Sequence, residues 1–417
     1  MQDLLGPSAN IHSCGLHQRA RRDKPGDARA AFYSPFVVYL DNAASTQPDE
    51  EVLDAVNSAA AELYANPASA HGPGAAAARA LAAARRDVAA ALEVEPEEVL
   101  FTSGGTEANA MGMLGAARAA RGRHVVVTAL EHPAVVRCAD ALKADGFAVD
   151  VIAPTPAGVV RADDVAAAVR ADTAVVAVML VNNELGTVQP VADIARRMAA
   201  AAPGPRRPHL HVDAVQAFGM MRLRPRALGA DSVALSAHKL HGPRGAGALW
   251  LRSGARLVPL WVGGGQERGL RGGTENLPAL VGFGRAAALA RAALARGADT
   301  AVAALRDRFE DAAIAATVVR VPGVRRTVTG AARAPHIASL AFPGLPAEPL
   351  LHALEARGVF ASAGSACASR TAGPSPALVA IGIGDRTGVL RFSLSRHTTA
   401  ADIDAAVVAL ASAVADL

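Results

Sequence analysis

From Val99 onward the chain alternates between short β-branched runs and longer amphipathic ones. Val99–Thr102, His124–Thr128, Ala148–Ile152, Ala174–Leu180, Leu210–Val212, Ser232–Leu235 and Gly247–Leu251 read as strands. Helical patterns separate them at Ala108–Ala120, Ala134–Ala144, Ala162–Ala171 and Val191–Ala201. Short apolar strands alternating with amphipathic helices predict a mainly parallel sheet covered on both faces. Upstream, Val37–Leu40 reads as a short strand, a helix runs to about Leu63, Asn66–Gly72 is a non-helical break, and Gly74–Leu92 is a long Ala/Arg helix. Downstream, Ala-rich helices at Leu277–Arg296 and Thr300–Ala316 give way to strands at Ile337–Phe342 and Val389–Leu394 and helices at Glu348–Arg357 and from Ala401. The expected organisation is a large domain over 51–297 and a small α/β domain over 298–417. Residues 36–50 are expected to pack with the small domain, and 1–35, which lack periodicity, to form a poorly ordered extension.

In such sheets ligands sit beyond the C-terminal ends of the strands. Polar groups collect there: Thr106, Glu131-His132, Asn182-Asn183-Glu184, Asp213 with Gln216, and His238-Lys239. The Ser103-Gly104-Gly105-Thr106-Glu107 turn joins a strand to a helix start, where free amides and the helix dipole favour phosphate. Its spacing is neither that of the dinucleotide fingerprint nor that of a P-loop. Gly263–Thr274 is glycine-dense and reads as an extended loop whose backbone approaches something closely, or as a linker.

Composition sharpens the picture at one residue. Of 42 basic residues only Lys24, Lys143 and Lys239 are lysine, leaving 39 arginines. An amine can lose its proton and form a Schiff base, and a guanidinium cannot. Lys239, between polar His238 and a Gly/Pro-rich turn, is therefore the candidate for covalent chemistry. An aldehyde cofactor held there, pyridoxal 5'-phosphate, needs three kinds of support. Gly105, Thr106, Ser236 and His238 suit its phosphate, Asp213 its pyridine nitrogen and Gln216 its phenolic oxygen, while His132 suits stacking on the ring and moving protons. A rival uses His209, His211 and Asp213, which share a strand face and could hold iron. It lacks a distant third ligand and leaves Lys239 unexplained, so structural roles are expected for both histidines.

The remaining composition excludes other classes. Hydrophobic content of 51% and charged content of 19% fit a globular protein, and with aromatics at 4% the core must be built of Ala, Val and Leu. A dispersed net charge of +4 leaves no nucleic-acid footprint. No apolar run approaches a membrane span, and no secretory signal is visible. Cys14, Cys138 and Cys367 have no CxxC spacing, which fits a reducing, cytoplasmic compartment and leaves room for a lone nucleophile. Cys367 lies in a loop of small residues, Ser362–Ser369.

The ordered motifs YLDNAAST, NPAS with His71, FTSGGTEAN, EHPAV, VNNELGTVQP, HVDAVQ, SAHKLHGPRGAG, GGGQERGLRGGTEN, SAGSACAS and RFSLSRHTT run from about Val38 to the C-terminus. With them the chain resembles cysteine desulfurases of the NifS/IscS-like group, within the class V aminotransferase family of fold-type I pyridoxal-phosphate enzymes. The resemblance implies a seven-stranded, mainly parallel sheet in a large domain, a small α/β domain, and a homodimer. It implies Lys239 as the Schiff-base lysine, a phosphate site of Gly105, Thr106, Ser236 and His238, and Thr274 serving the partner subunit's phosphate site. Asp213, Gln216, Asn183 and His132 would hold or flank the ring, with Asn183 and Arg391 on the substrate and Arg391 binding its carboxylate. Cys367 would take sulfur from L-cysteine as a persulfide, leaving alanine, on an arm that Gly364, Ser365, Ala366 and Ala368 keep flexible. The sulfur would pass to an acceptor protein, an iron–sulfur scaffold or another carrier.

Three features depart from the relatives. Ala110 replaces a usual polar residue, the stretch before Ser34 has no counterpart, and Leu417 follows the last helix without the tail that housekeeping relatives use for scaffold docking. A specialised sulfur donor is the expectation these raise. Two other readings compete: a selenocysteine lyase or aminotransferase-like enzyme, and a catalytically silent sulfur-carrier scaffold.

Overall fold

The computed structural model describes residues 37–201, 207–364 and 375–417. The chain starts with β1 (Val38–Tyr39), α1 (Glu50–Glu62), α2 (Gly72–Leu92) and β2 (Val99–Thr102). There follow α3 (Gly105–Ala119), β3 (His124–Thr128), α4 (Pro133–Ala144), β4 (Ala148–Ile152), α5 (Ala162–Ala167), β5 (Thr173–Met179), α6 (Val191–Ala201) and β6 (His209–Asp213). Next come β7 (Ser232–Ser236), β8 (Gly247–Leu251), α7 (Leu277–Ala295) and α8 (Ala298–Thr317). The last part is β9 (Arg325–Arg326), β10 (Ile337–Pro343), α9 (Ala347–Glu355), β11 (Val359–Phe360), α10 (Pro376–Ala380), β12 (Thr387–Ser393) and α11 (Ala400–Ala415).

Seven strands form one sheet in the order β2-β8-β7-β6-β5-β3-β4. The β7-β6-β5-β3-β4 run is parallel, and β8 is antiparallel to both its neighbours. β2, β3 and β5 to β8 are buried at every position except His209, as strands covered on both faces must be. The parallel strands therefore end on one side, and Thr128, Met179, Asp213 and Ser236 finish there together. This is the seven-stranded, mainly parallel α/β sheet expected from the sequence. A three-stranded antiparallel sheet, β12-β10-β9, forms a second layer system with its own apolar core, which β12 and β10 share with α8, α9 and α11. Val38 and Leu40 belong to that second core, and β1 pairs in parallel with β11.

Two expectations change. The helix expected over 162–171 stops at Ala167, because Thr173 Oγ1 accepts the Arg170 N–H at 2.7 Å and so competes with a further helical turn. The glycine-dense stretch is not simply extended: it holds a single 3₁₀ turn, Gln266–Gly269, in which Glu267 and Arg268 are left-handed. The Glu267 carboxylate fixes that turn by pairing with both Arg85 Nη atoms at 2.7 Å and accepting the Phe101 N–H at 2.9 Å. Among the described residues only α7 is long and apolar enough to cross a membrane, and 56% of its most apolar window is buried in the protein. A helix that packs against both α1 and α2 is apolar on several faces for that reason.

Candidate active site

One cavity of about 250 Å³ opens where the parallel strands end. Its lining includes Gly105, Thr106, His132, Asn183, Asp213, Gln216, Ser236, His238, Lys239 and Arg391. Thr274 is exposed in its loop and lies outside this cavity, and Cys367 lies outside the described residues. Cys138, in α4, is buried, and that burial pushes its thiol up to about 11. It is the kind of inert core cysteine the sequence suggested.

β7 ends at Ser236 and turns at once into a single 3₁₀ turn, Ala237–Lys239. That turn aims Lys239 into the cavity, where Nζ donates to the carbonyls of Ala43 at 2.6 Å and Ala44 at 2.7 Å. Ser236 leaves its hydroxyl buried without a hydrogen-bond partner. Beside it α3 begins, and the first N–H groups of a helix have no intrahelical acceptor. Gly105 is required there by close approach, since a Cβ would lie 2.6 Å from Val215 Cγ2.

β6 delivers Asp213, which accepts from Asn109 Nδ2 at 2.7 Å and from the Val215 N–H at 3.0 Å. Three residues on, Gln216 donates to the Ala43 carbonyl at 2.9 Å, and its Oε1 lies 3.3 Å from His336 Nε2. His132 caps α4: its Nδ1 accepts the Ala134 N–H at 3.1 Å, so its proton sits on Nε2. Burial and nearby Lys239 lower its pKa against the opposing pull of Asp213, and the ring is neutral near pH 7. His238 is neutral as well, held down to about 4 by burial, Lys239 and Arg244.

Arg391 comes from β12 and is 1% exposed. Nη2 pairs with Asp41 Oδ1 at 2.7 Å, Nη1 donates to the Asn183 carbonyl at 2.9 Å, and Nε is buried without a partner. The 41–49 segment is threaded between this strand and the Lys239 turn. Ser393 N donates to Leu40 O at 2.6 Å on one side, and Thr46 bonds His238 O and His241 N on the other. Asp49, His241 and His397 converge further along. There Arg396 takes one carboxylate oxygen and His397 Nε2 the other at 2.8 Å, while His241 Nδ1 lies 2.7 Å from Gln47 O, so the cluster is a hydrogen-bonded strap.

Sequence reasoning assigned no role to Asp41, Asn109 or His336, and it placed Glu131 at the strand ends without giving it one. Asn109 and Asp41 stood inside quoted motifs, but only the fold places them against Asp213 and Arg391. Glu131 is buried, and that burial pushes its pKa up to about 8, with nearby Asp213 adding to the effect. It accepts from the Thr128 hydroxyl at 2.7 Å and the Met179 N–H at 2.9 Å. The residues present fit pyridoxal phosphate. An orphan hydroxyl and a helix start suit a phosphate, a buried carboxylate suits a protonated ring nitrogen, and an amine suits an aldehyde.

Comparison with known proteins agrees with this geometry. Residues 38–406 match the family model described as aminotransferase class-V. A cysteine desulfurase of Cereibacter sphaeroides is 42% identical over 375 residues, covering 88% of this chain and 93% of its own. Among solved structures, a NifS-like protein superposes with a TM-score of 0.83 at 32% identity, covering 92% of this chain and all of its own. A structure described as SspA in complex with cysteine gives a TM-score of 0.72 at 31% identity, over 87% of this chain and 99% of its own. The likeness thus spans the sheet, the lysine turn and the second core alike, and the chain belongs to the class-V aminotransferase family, in its NifS/IscS-like cysteine desulfurase group.

Proposed function

We propose that the protein is a pyridoxal-phosphate-dependent cysteine desulfurase that converts L-cysteine to L-alanine and carries the sulfur away as an enzyme persulfide. The observation that carries this reading is the Lys239 amine in a cavity that also holds Asp213, Gln216, His132 and the orphan Ser236 hydroxyl. Similarity to cysteine desulfurases and to a cysteine-bound structure supports the substrate.

When bound, pyridoxal phosphate supplies an aldehyde carbon for covalent attachment and a protonated ring that withdraws electrons. Ser236, His238 and the first turn of α3 at Gly105 and Thr106 would hold its phosphate. Asp213 would pair with the protonated ring nitrogen, Gln216 would donate to the phenolic oxygen, and Asn183 and neutral His132 would flank the ring. The Arg391 guanidinium, with its Nε donor still open, binds the substrate carboxylate. Lys239 would hold the cofactor's aldehyde and, as a free amine, would serve as the base for the substrate Cα proton. The Cys367 thiolate attacks the substrate sulfur: an S–S bond forms, the C–S bond breaks, and the carbon side gains the proton that completes alanine. The balance is L-cysteine plus one enzyme thiol giving L-alanine plus one enzyme persulfide.

A homodimer belongs to this reading, with exposed Thr274 serving the partner's phosphate site. So do a second domain built on the β10–β12 core, a protein acceptor for the sulfur, and a cytoplasmic location. The test is incubation of purified protein with L-cysteine and a thiol, measuring alanine and sulfide together. Equal yields are expected, with turnover lost in Cys367→Ala; alanine without sulfide, or neither product, rules the reading out.

A further inference from the structure

Asp213 is the inner end of a buried hydrogen-bond chain. Asn109, which donates to its carboxylate, presents Oδ1 at 2.9 Å to His211 Nε2. His211 Nδ1 lies 2.8 Å from Ser232 Oγ, and that oxygen lies 2.7 Å from His209 Nε2. Asn109, His211 and Ser232 are at most 1% exposed, and His209, at the start of β6, reaches an open groove at the opposite end of the strands, beside Arg207, Asp231 and Arg252.

One pattern of protons satisfies every link. A carboxylate only accepts, so Asn109 turns its amide to Asp213 and its carbonyl oxygen to His211. His211 must then carry its proton on Nε2, which leaves Nδ1 to accept from the Ser232 hydroxyl. Ser232 has spent its only proton, so His209 Nε2 donates to it. Every donor points toward Asp213, and such aligned bonds polarise one another. Neutral imidazoles are what this needs: burial, with a contribution from His209, holds His211 down to about 3, and burial above all holds His209 to about 4. The ring has a built place, because a Cβ on Gly112 of α3 would lie 2.3 Å from His211 Nδ1. The neighbouring carboxyl, Glu131, is pushed up to about 8, chiefly by burial.

We propose that Asn109, His211 and Ser232, with His209 as the outer end, are positioning residues that hold the Asp213 carboxylate fixed and aimed at the ring nitrogen of bound pyridoxal phosphate. The proposal rests on the cofactor reading above. Two fixed donors, Asn109 Nδ2 and the Val215 N–H, hold the carboxylate in one orientation. Without the chain the ring nitrogen is less firmly protonated and withdraws fewer electrons.

The test uses full-length protein loaded with pyridoxal phosphate. The readouts are the pH midpoint of the bound-cofactor absorbance change, alanine production, and ¹⁵N NMR of the histidine side chains. His211→Phe is expected to raise the midpoint by about one pH unit and to lower kcat about tenfold. His211→Gln, whose amide can still donate to Asn109, is expected to restore most of both. Ser232→Ala, which removes only a hydroxyl, is expected to move the midpoint in the same direction by less, and serves if His211→Phe does not fold. In the parent protein His211 is expected to stay neutral with its proton on Nε2 between pH 5 and 8. An unchanged midpoint in folded, cofactor-loaded variants overturns the proposal, as does a His211 proton on Nδ1. If the parent protein takes up no cofactor absorbance at all, the functional reading itself fails, and the chain's role falls with it.

Discussion

At the scale of the residue, Asp41 and the substrate carboxylate compete for one guanidinium. Arg391 already gives Nη2 to Asp41 and Nη1 to a backbone carbonyl. Breaking a buried ion pair from one side is costly, on the order of 3 kcal/mol, because the other charge is left uncompensated. Asp41→Asn is therefore expected to lower the thermal midpoint while decreasing KM for cysteine several-fold, and saturating cysteine should recover part of the lost stability. An unchanged KM together with an unchanged melting temperature would show that the pair is neither a competitor nor a support. The sequence revealed Arg391 only through its motif. It could not reveal Asp41 as the partner, because the two residues are brought together by a fold that closes a 350-residue separation.

At the scale of the element, the 41–49 segment decides how the lysine turn is held. Thr46 makes two bonds there, donating to His238 O at 2.9 Å and accepting the His241 N–H at 2.7 Å. Both partners flank Lys239. Thr46→Val keeps the shape and removes both bonds; the residue's own N–H still serves His238 O, but the buried His241 N–H is left unsatisfied, at a cost of about 1–3 kcal/mol. The expected outcome in thermal denaturation and cofactor titration is a lower melting temperature together with weaker pyridoxal-phosphate retention. A loss of stability with cofactor affinity untouched would separate the segment from the site. Strand and helix positions were legible from periodicity because β2, β3 and β5 to β8 are buried almost throughout. The end of α5 was not, since it depends on a threonine side chain across a turn. Neither was the left-handed Glu267, which depends on Arg85.

At the scale of the whole molecule, buried ionisable groups shape stability against pH from both sides. Burial holds His209, His238 and His241 to about 4 and His211 and His336 to about 3, against an ordinary 6.5. The unfolded chain binds protons there that the fold refuses, so stability is present above about 6.5 and is lost as pH falls toward those values. Glu131 works in the opposite sense. Its folded value, about 8, lies above the ordinary 4.5, so its contribution is complete below 4.5 and is lost as pH rises through 8. The melting temperature is thus expected to fall steeply below pH 6 and gently from 6.5 to 8. Glu131→Gln should flatten the alkaline slope and steepen the acid one down to about 4.5, where the carboxyl no longer offsets the histidines. A variant whose alkaline slope matches the parent's would assign that slope to another group.

The order of elements, the parallel sheet and the residues that gather at its edge were determined by the sequence itself, because hydrophobic period and strand-end position are local properties of a chain. One amine among many guanidinium groups was equally local, and so was visible. What the tertiary structure decided is the company those residues keep: Asn109 and His211 behind Asp213, Asp41 on Arg391, and two carbonyls of the first turn on Lys239. Those pairings are hydrogen bonds and charges between segments remote in the chain. Their energy depends on distances of a few ångströms that no periodicity encodes.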